Sequence, residues 1–251
     1  MEKIMDELIY KMKSIRLSAM AAKLPVRVQE ATANELSHVE FLQQLVDDEL
    51  SARRDRLLNK RLKQAKLPYL KTLDEFDFGF NPVINRPQIK QLATAAFVAN
   101  HENILMIGPP GVGKTHLAIS FALEAIHKGF SALYRSVFDL ALDIAKQQEQ
   151  VRDAYLKPDL LIIDELGMKK MGLTANEIIL EVIHRRYQRA ATVITTNRQI
   201  EDWGIIFGDN ATASAILDRF LEKVHLLQIN GRSYRLKNLN PKEQKMVESK
   251  N

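Results

Sequence analysis

Hydrophobic residues in the first 70 positions recur at intervals of about three to four, the period of an α-helix. The positions that carry this pattern are Leu8, Met12, Ile15, Leu17, Met20, Val39, Leu42, Leu45 and Leu50. Pro25 and the polar stretch Thr32–Ser37 predict breaks between helices. Because no alternating strand pattern occurs here, we predict a small all-α N-terminal domain over residues 1–70.

From about residue 100 the pattern changes, and short apolar runs alternate with helical segments. The runs are Ile104–Ile107, Ala132–Tyr134, Leu160–Ile163, Val193–Thr195 and Val224–Gln228. One predicted helix begins at Lys114 and ends before Gly129, and another opens with a capping-box pattern at Thr174 and continues to about Arg189. This alternation predicts an α/β domain over residues 71–251, with a parallel five-stranded sheet flanked by helices.

The most irregular backbone of the chain, GPPGVGKT from Gly108 to Thr115, lies between the first predicted strand and the helix after it. This is the pattern and the context of a phosphate-binding loop, whose N–H groups and helix N-terminus bind anions. We expect Lys114 to contact the β- and γ-phosphates and the Thr115 hydroxyl to ligate Mg²⁺. A chance glycine-rich turn is the alternative, which the flanking strand and helix disfavour. The expected nucleotide contacts are Gly108, Pro109, Pro110, Gly111, Val112, Gly113, Lys114, Thr115 and His116.

Two adjacent carboxylates, Asp164 and Glu165, end the third apolar run. Open α/β sheets bind their ligands at the carboxyl ends of the strands. We expect Asp164 to hold Mg²⁺, in part through water, and Glu165 to orient and deprotonate the attacking water. Switch-type GTPases usually lack the second acid, so the pair favours ATP. A pair of helix-start acids is the alternative interpretation.

The apolar run at Val193–Thr195 is also followed by polar residues, Thr196 and Asn197. Asn197 stands where its side chain could hydrogen-bond the γ-phosphate or the attacking water. This signal is weak alone, because Asn ends many strands as a turn residue.

Composition narrows the classes of protein that the chain can belong to. The 251 residues contain no cysteine, which excludes disulfides, thiolate metal sites and cysteine nucleophiles. No apolar run approaches the roughly 20 residues that span a bilayer, and acids interrupt the N-terminal segment, so we expect no membrane segment, no signal peptide and a cytoplasmic location. The net charge of +5 permits a polyanionic partner without demonstrating one.

Six motifs appear in one order along almost the full chain, and together they resemble the IstB/DnaC-like group of AAA+ ATPases. The motifs are LDEFDFGFNP (Leu73–Pro82), GPPGVGKT, LLIIDELG, TTN, LDRF (Leu217–Phe220) and GRSYR (Gly231–Arg235). The phosphate-loop and Asp-Glu motifs are shared by many ATPases. The GRSYR motif and the short helical N-terminal region single out this group, and the resemblance implies Mg²⁺-dependent ATP hydrolysis in a homo-oligomer with ATP between subunits.

The resemblance implies roles for two further arginines. Arg219 in LDRF resembles an arginine finger that reaches the ATP of a neighbouring subunit. Arg235 in GRSYR resembles the sensor-two arginine, which contacts the nucleotide of its own subunit. A surface salt bridge is the alternative for each. Sixteen residues follow Arg235, too few for the helical lid of many AAA+ proteins, so we expect the core to lack a full C-terminal lid.

The group contains two activities, and both remain open at this point. IstB proteins assist the transposase of a bacterial insertion sequence, and DnaC proteins load a replicative helicase. The basic end of the helical region and the LDEFDFGF segment favour the first, namely assembly on duplex DNA and delivery of that DNA to the transposase of the same element. A helicase loader that binds helicase through its N-terminal helices is the alternative, and a nucleotide-binding scaffold with negligible turnover is a third.

The transposition hypothesis requires contact with DNA. Phosphate contacts by basic residues would give salt-sensitive binding without strong sequence specificity. For the basic run from Arg53 to Lys66, a solvated helix face is the alternative interpretation. No aromatic residue is interleaved with the basic runs, which favours duplex DNA over single strands. The candidate contacts are Arg53, Arg54, Lys60, Arg61, Lys169, Lys170, Arg185 and Arg186.

Overall fold

The structure is a computed structural model, and it describes residues 2–81, 84–146, 148–169, 171–207 and 211–237. Backbone contacts divide the chain into two compact units, one ending at Lys60 and one starting at Arg61. The division lies ten residues before the domain boundary predicted at residue 70. In the described parts of the chain, no helix is both long enough and apolar enough to cross a membrane.

The first unit is helical, as the hydrophobic spacing predicts. Its helices are α1 (Glu2–Ser14), α2 (Ser18–Ala33) and α3 (His38–Ala65), and α3 extends past the boundary at Lys60. Met20, Leu24 and Leu45 form a small core, against which neighbouring apolar side chains pack. The break predicted at Pro25 is wrong, because α2 continues through this residue. Proline removes one helical N–H, but the buried Leu24, the residue directly before it, anchors the helix to the core.

A buried carboxylate of α3 completes the N-terminus of α2. Leu17 at the N-cap offers no side-chain acceptor. Glu49 accepts hydrogen bonds from the N–H groups of Ala19 at 2.8 Å and Met20 at 3.2 Å. The guanidinium of Arg53 donates to Glu49 at 2.8 Å and to the Arg16 carbonyl at 2.9 Å. The first unit therefore uses a buried, paired charge where most helices use a local cap.

The second unit contains a five-stranded parallel sheet in the order β2-β3-β4-β1-β5, which confirms the predicted fold class. The central strands are buried along their whole length, as expected when helices cover both faces. The strands are β1 (Asn103–Ile107), β2 (Ala132–Ser136), β3 (Leu160–Leu166), β4 (Ala191–Thr196) and β5 (Val224–Gln228).

Helices connect and surround these strands. The prediction of a helix from Lys114 to Gly129 is confirmed, since α6 ends one residue before its C-cap Lys128 and Gly129 has a φ of +97°. The capping box predicted at Thr174 is not formed, because α9 begins one residue earlier, after Gly172, without a side-chain cap. The helices are α4 (Arg86–Leu92), α5 (Ala96–Ala99), α6 (Lys114–His127), α7 (Val137–Lys146), α8 (Gln148–Leu156), α9 (Leu173–Arg186), α10 (Trp203–Phe207) and α11 (Ala211–Glu222), and short 3₁₀ turns cover Ile200–Asp202 and Tyr234–Leu236.

Candidate nucleotide site

The phosphate loop connects β1 to α6 in a conformation that requires glycine. Gly111 and Gly113 have φ angles of +81° and +103°, which L side chains rarely adopt. A Cβ at Gly111 would lie 2.0 Å from the Ser233 hydroxyl, and one at Gly113 would lie 2.6 Å from the Phe76 ring. Two other segments, the 73–81 segment and the GRSYR segment, therefore pack directly against the loop.

A cavity of about 450 Å³ lies beside the phosphate loop. It brings together the motifs that the sequence separates by more than a hundred residues. The predicted site residues that line it are Pro110, Gly111, Val112, Gly113, Lys114, Thr115, His116, Glu165, Asn197 and Arg235. Gly108, Pro109, Asp164 and Arg219 are not among the residues that line the cavity.

Lys114 stands at the start of α6 with its ammonium group folded back over the loop. Its Nζ donates to the carbonyl oxygens of Gly108 at 2.6 Å and Pro109 at 2.8 Å. Burial lowers the pKa of Lys114 to about 8, although the nearby carboxylates of Asp164 and Glu165 oppose this shift. A phosphate entering the cavity would supply the counter-charge that the buried ammonium lacks.

Asp164 is the centre of a cluster of hydroxyl groups. It is 1% exposed. Its Oδ2 accepts from Thr115 at 2.9 Å and from Tyr134 at 2.6 Å, and its Oδ1 accepts from Thr195. Burial, followed by the hydrogen bond to Asp164, raises the pKa of the Tyr134 phenol. Sequence analysis missed Tyr134 and Thr195, although both are hydroxyl residues in strands next to the one that carries Asp164.

The Thr115 hydroxyl and the Asp164 carboxylate fit a Mg²⁺ ion. Thr115 at the start of α6 and Asp164 on β3 offer hard oxygen donors 2.9 Å apart. Mg²⁺ prefers such donors together with water and substrate phosphates. Over the residues that the structure describes, no group of three or more His, Asp or Glu side chains could form a dedicated metal cage. The donor set therefore suits an ion that arrives with a nucleotide.

Glu165 lines the cavity from the end of β3, in an unusual backbone conformation. Its φ is +60°, in the left-handed region that non-glycine residues seldom adopt. Burial raises the pKa of Glu165, and the negative charge of Asp164 raises it further. A carboxyl group with a raised pKa in a cleft is a candidate general base.

Asn197 follows β4 and also lines the cavity. Its Oδ1 is buried and has no hydrogen-bond partner among the described residues. A buried acceptor of this kind can receive a hydrogen bond from a molecule in the cavity, such as the attacking water.

Arg235 and Arg219 occupy different places. Arg235 lines the cavity from the 3₁₀ turn Tyr234–Leu236, and this turn is tied to the phosphate loop by the Tyr234 N–H, which donates to the Gly111 carbonyl at 2.9 Å. Arg219 is exposed on α11, where its Nη1 lies 3.0 Å from Nδ1 of His184. Of the two arginines, Arg235 is thus the one that reaches the cavity of its own chain.

Aromatic side chains form one wall of the cavity, a feature that sequence analysis did not predict. Phe80 and Tyr234 pack edge to face with their centroids 5.0 Å apart, and Phe76 packs similarly on His116 at 5.2 Å. Lys237 fixes this wall through an ion pair of 2.7 Å with Asp77. Flat aromatic walls of this kind suit a planar heterocycle such as a nucleobase.

The candidate DNA contacts of the first unit differ in their surroundings. Arg53 is engaged by Glu49, although half of its side chain stays exposed. Arg54 and Lys60 are exposed on α3. None of the three takes part in the small core.

Among the candidate DNA contacts of the second unit, Arg186 is buried and Arg185 is partly exposed. The prediction that Arg186 contacts DNA is wrong, because Arg186 is 2% exposed. Its guanidinium donates to the carbonyls of Pro158 at 2.8 Å and Tyr155 at 3.0 Å and to the Thr192 hydroxyl at 3.1 Å. The neighbouring Arg185 is half exposed and pairs with Glu181 at 2.7 Å.

Two further candidate DNA contacts, Arg61 and Lys169, have side chains that are at least partly exposed. Arg61 is half-buried. Lys169 lies over the exposed Phe138 ring, 5.9 Å from its centroid, so the fold brings together an aromatic and a basic residue that are separate in the sequence. Lys170 lies outside the described residues.

Comparison with known proteins identifies the family of the chain. Residues 10–241 match the family described as IstB-like ATP binding protein. The chain is 36% identical over 236 residues to the ATP-binding protein of insertion sequence IS5376 from Geobacillus stearothermophilus, covering 92% of this chain and 94% of the relative. It is 37% identical over 238 residues to the ATP-binding protein of insertion sequence IS21 from Pseudomonas aeruginosa. This match covers 93% of this chain and 90% of the relative. These matches confirm the resemblance seen in the motifs.

Solved structures show the same fold. The structure matches the crystal structure of DnaI with a TM-score of 0.54 and 21% identity, over 65% of this chain and 89% of that one. It also matches the structure of the replication initiator DnaA bound to AMPPCP and single-stranded DNA, with a TM-score of 0.54 and 18% identity. This match covers 72% of this chain and 60% of the DnaA chain. At these identities the likeness shows the AAA+ fold alone.

Proposed function

The chain belongs to the family of IstB-like ATP-binding proteins, and on that premise we propose that it is a Mg²⁺-dependent AAA+ ATPase that assembles on duplex DNA and delivers this DNA to a transposase. The observation that carries the ATPase part is the joining of three motifs at one cavity. Lys114 and Thr115 of the phosphate loop, Glu165 and Asn197 line this cavity, and Asp164 is joined to it through its hydrogen bond with Thr115.

Each of these side chains has a role that its surroundings support. The phosphate-loop N–H groups and the Lys114 ammonium bind the phosphates. Thr115 and Asp164 hold Mg²⁺, which supplies positive charge against the phosphate oxygens when it is bound. Glu165 accepts a proton from the attacking water, and the free Oδ1 of Asn197 helps to orient that water. Arg235 adds a positive charge within the same chain.

Hydrolysis is coupled to assembly through Arg219. This guanidinium is exposed on α11 and does not line its own cavity, so it is available to the nucleotide of a neighbouring subunit. An arginine supplied in this way stabilises the charge that develops on the transferred phosphoryl group. The second unit therefore hydrolyses ATP fastest when subunits are assembled.

The first unit supports self-association. Along α3, apolar side chains that are 45–73% exposed recur at helical spacing, and they are Val39, Leu42, Val46, Leu50 and Leu57. A continuous exposed apolar stripe on a helix is typical of a contact with another protein chain. We assign this stripe to contact between copies of the chain.

DNA binding is assigned to the accessible basic residues. Arg54, Lys60, Arg61, Lys169 and Arg185 are available for phosphate contacts, which depend on salt and carry little sequence information. Arg53 contributes through the exposed half of its side chain. The partners of the proposed function are therefore duplex DNA, further copies of the chain and the transposase of the same element.

The transposition role is favoured over helicase loading by the relatives. The two relatives described above, 36% and 37% identical over more than nine-tenths of the chain, are ATP-binding proteins of insertion sequences. The likeness to DnaI rests on 21% identity and supports only the fold. Loading of a replicative helicase through the N-terminal helices is the alternative function.

The proposal is tested by the binding of Glu165→Gln protein to duplex and single-stranded DNA of equal length, with ATP and with ADP, at two salt concentrations. This substitution removes the base and keeps the nucleotide site, so ATP-bound assemblies should persist. Tight, ATP-dependent, salt-sensitive binding to duplex DNA, with oligomers visible by light scattering, is the expected result. A preference for single strands, or DNA binding only when a replicative helicase is present, would favour the loader.

A further inference from the structure

The two carboxylates of the nucleotide site lie on an irregularity of β3. In the parallel pairing of β3 with β4, Ile163 lies opposite Ile194, and Leu166 lies opposite Thr196. Between these pairs β3 has two residues, Asp164 and Glu165, where β4 has one. This is a β-bulge, which inserts an extra residue and re-aims the side chains near it.

The bulge brings both acids to the phosphate loop. In a regular strand, neighbouring side chains point to opposite faces of the sheet. Here Asp164 accepts a hydrogen bond from Thr115, and Glu165 lines the cavity together with Lys114. The φ of +60° at Glu165 is the local departure from strand geometry that accompanies this arrangement.

A bulge of this kind has to be stabilised, because it interrupts the ladder and holds a non-glycine residue in the left-handed region. A conformation of this type is unfavourable by itself and persists where surrounding contacts enforce it. The N–H of Glu165 also needs an acceptor, because the extra residue of a bulge is left unpaired in the ladder.

Thr195 of β4, the residue opposite the bulge, supplies that acceptor. Its hydroxyl oxygen accepts from the Glu165 N–H at 3.0 Å, and its proton is donated to Oδ1 of Asp164. The side chain is fully buried. A single hydroxyl therefore connects the backbone of the proposed base to the carboxylate of the proposed Mg²⁺ ligand, and a threonine hydroxyl can accept and donate at the same time.

We propose that Thr195 is a positioning residue for ATP hydrolysis, whose hydroxyl holds the Asp164–Glu165 bulge in the geometry that the reaction needs. This inference rests on the proposed ATPase function and assigns a role to a residue of the TTN motif other than Asn197. Thr195 lines the cavity, and its hydroxyl is bound to both acids, so we assign its effect on the reaction to these two residues.

The test uses two substitutions in the full chain. Thr195→Val replaces the hydroxyl with a methyl group of nearly the same volume, and Thr195→Ser keeps the hydroxyl. Thermal unfolding of each variant checks that it folds. Because serine fills less space but preserves both hydrogen bonds, it is the matched control for the role of the hydroxyl.

The first readout requires no nucleotide. Amide hydrogen exchange at Glu165, followed by NMR, should be faster in Thr195→Val than in the parent and in Thr195→Ser, because only the valine variant lacks the acceptor. Tyr134→Phe removes another hydroxyl from Asp164 but leaves the Glu165 acceptor in place, so its Glu165 amide should stay protected. Equal exchange in the valine variant and the parent would overturn the proposal.

The second readout separates positioning from binding. In Thr195→Val the turnover number for ATP should fall about 10- to 100-fold, with the nucleotide dissociation constant within about threefold of the parent value. Thr195→Ser should keep turnover within about threefold, and adding Thr195→Val to Glu165→Gln should cost little more, since both changes act on the same step. A loss of affinity at unchanged turnover, or equal losses in the two Thr195 variants, would overturn the proposal.

The two proposals can fail separately. Absence of ATP turnover in the parent protein would contradict the proposed function. The exchange experiment would still decide whether Thr195 holds the bulge, because it is measured without nucleotide.

Discussion

The Tyr134 hydroxyl donates a hydrogen bond of 2.6 Å to Oδ2 of Asp164, from the edge strand β2 to the neighbouring strand β3. Both residues are buried. The phenol therefore orients the carboxylate that is proposed to hold Mg²⁺, on the side away from β4. Partners of this kind tune metal affinity without touching the metal.

Tyr134→Phe removes the donor and keeps the ring that packs in the sheet. We expect the Mg²⁺ concentration needed for half-maximal ATP hydrolysis to rise about tenfold, because the carboxylate loses one of its orienting bonds. Turnover at saturating Mg²⁺ should stay close to that of the parent. A Mg²⁺ titration of phosphate release makes this measurement, and an unchanged titration would exclude an orienting role for Tyr134.

Lys114→Ala removes the only side-chain ammonium assigned to the phosphates. We expect nucleotide affinity to fall about 100-fold or more, since each charge-assisted hydrogen bond contributes roughly 1.5–3 kcal/mol. Calorimetric titration with ATP measures the loss. Lys128→Ala is the matched control, because Lys128 is exposed at the C-cap of the same helix; a similar loss in both variants would show that the effect is not specific to the loop.

Arg186→Met tests the corrected role of this arginine. Its removal leaves the carbonyls of Tyr155 and Pro158 and the Thr192 hydroxyl without their donor, so the free energy of unfolding should fall by about 2–4 kcal/mol. Denaturant unfolding measures this change. Arg185→Met, one residue earlier and half exposed, should change the stability by about 0.5 kcal/mol or less. If Arg186→Met instead kept its stability and lost DNA binding, the predicted DNA contact would be restored.

Glu49→Gln tests the charged cap of the first unit. The hydrogen bond from Arg53, together with those from the backbone of Ala19 and Met20, lowers the pKa of Glu49 to about 2 from an ordinary value of 4.5. A lowered pKa means that the carboxylate stabilises the fold fully above about pH 4.5, and that this contribution is lost as the pH falls toward 2.

The substitution should therefore cost about 2 kcal/mol near neutral pH, the scale of a hydrogen bond to a charged group. The difference in unfolding free energy between the parent and the variant should shrink as the pH falls from 4.5 toward 2. Denaturant unfolding of the full chain at several pH values measures this difference. A pH-independent difference would contradict the role of the charge.

The strands could be predicted because each contains a short run of apolar residues, and four of the five are buried along nearly their whole length. β5, for example, begins and ends where its pattern does, at Val224 and Gln228. The phosphate loop could be predicted because its glycines are needed for local backbone reasons. The break at Pro25 was predicted from a local rule, and tertiary packing around Leu24 outweighed that rule.

The bulge at Glu165 depends on the register between β3 and β4, which no local pattern reveals. The burial of the Arg186 charge could not be predicted for the same reason. A basic pair at the end of a helix resembles a solvated surface, but the carbonyl oxygens that surround Arg186 come from residues 155–159 and 191. The aromatic wall was missed because Phe80 and Tyr234 lie more than 150 residues apart in the sequence.

Steady-state phosphate release measures whether this site hydrolyses ATP with Glu165 as the base. We expect measurable Mg²⁺-dependent release by the parent protein, stimulated by duplex DNA, and a fall of about 100-fold or more in Glu165→Gln, with ATP affinity retained. Release by Glu165→Gln at the parent rate would show that Glu165 is not the base, and no release by the parent with and without DNA would show that the site does not hydrolyse ATP.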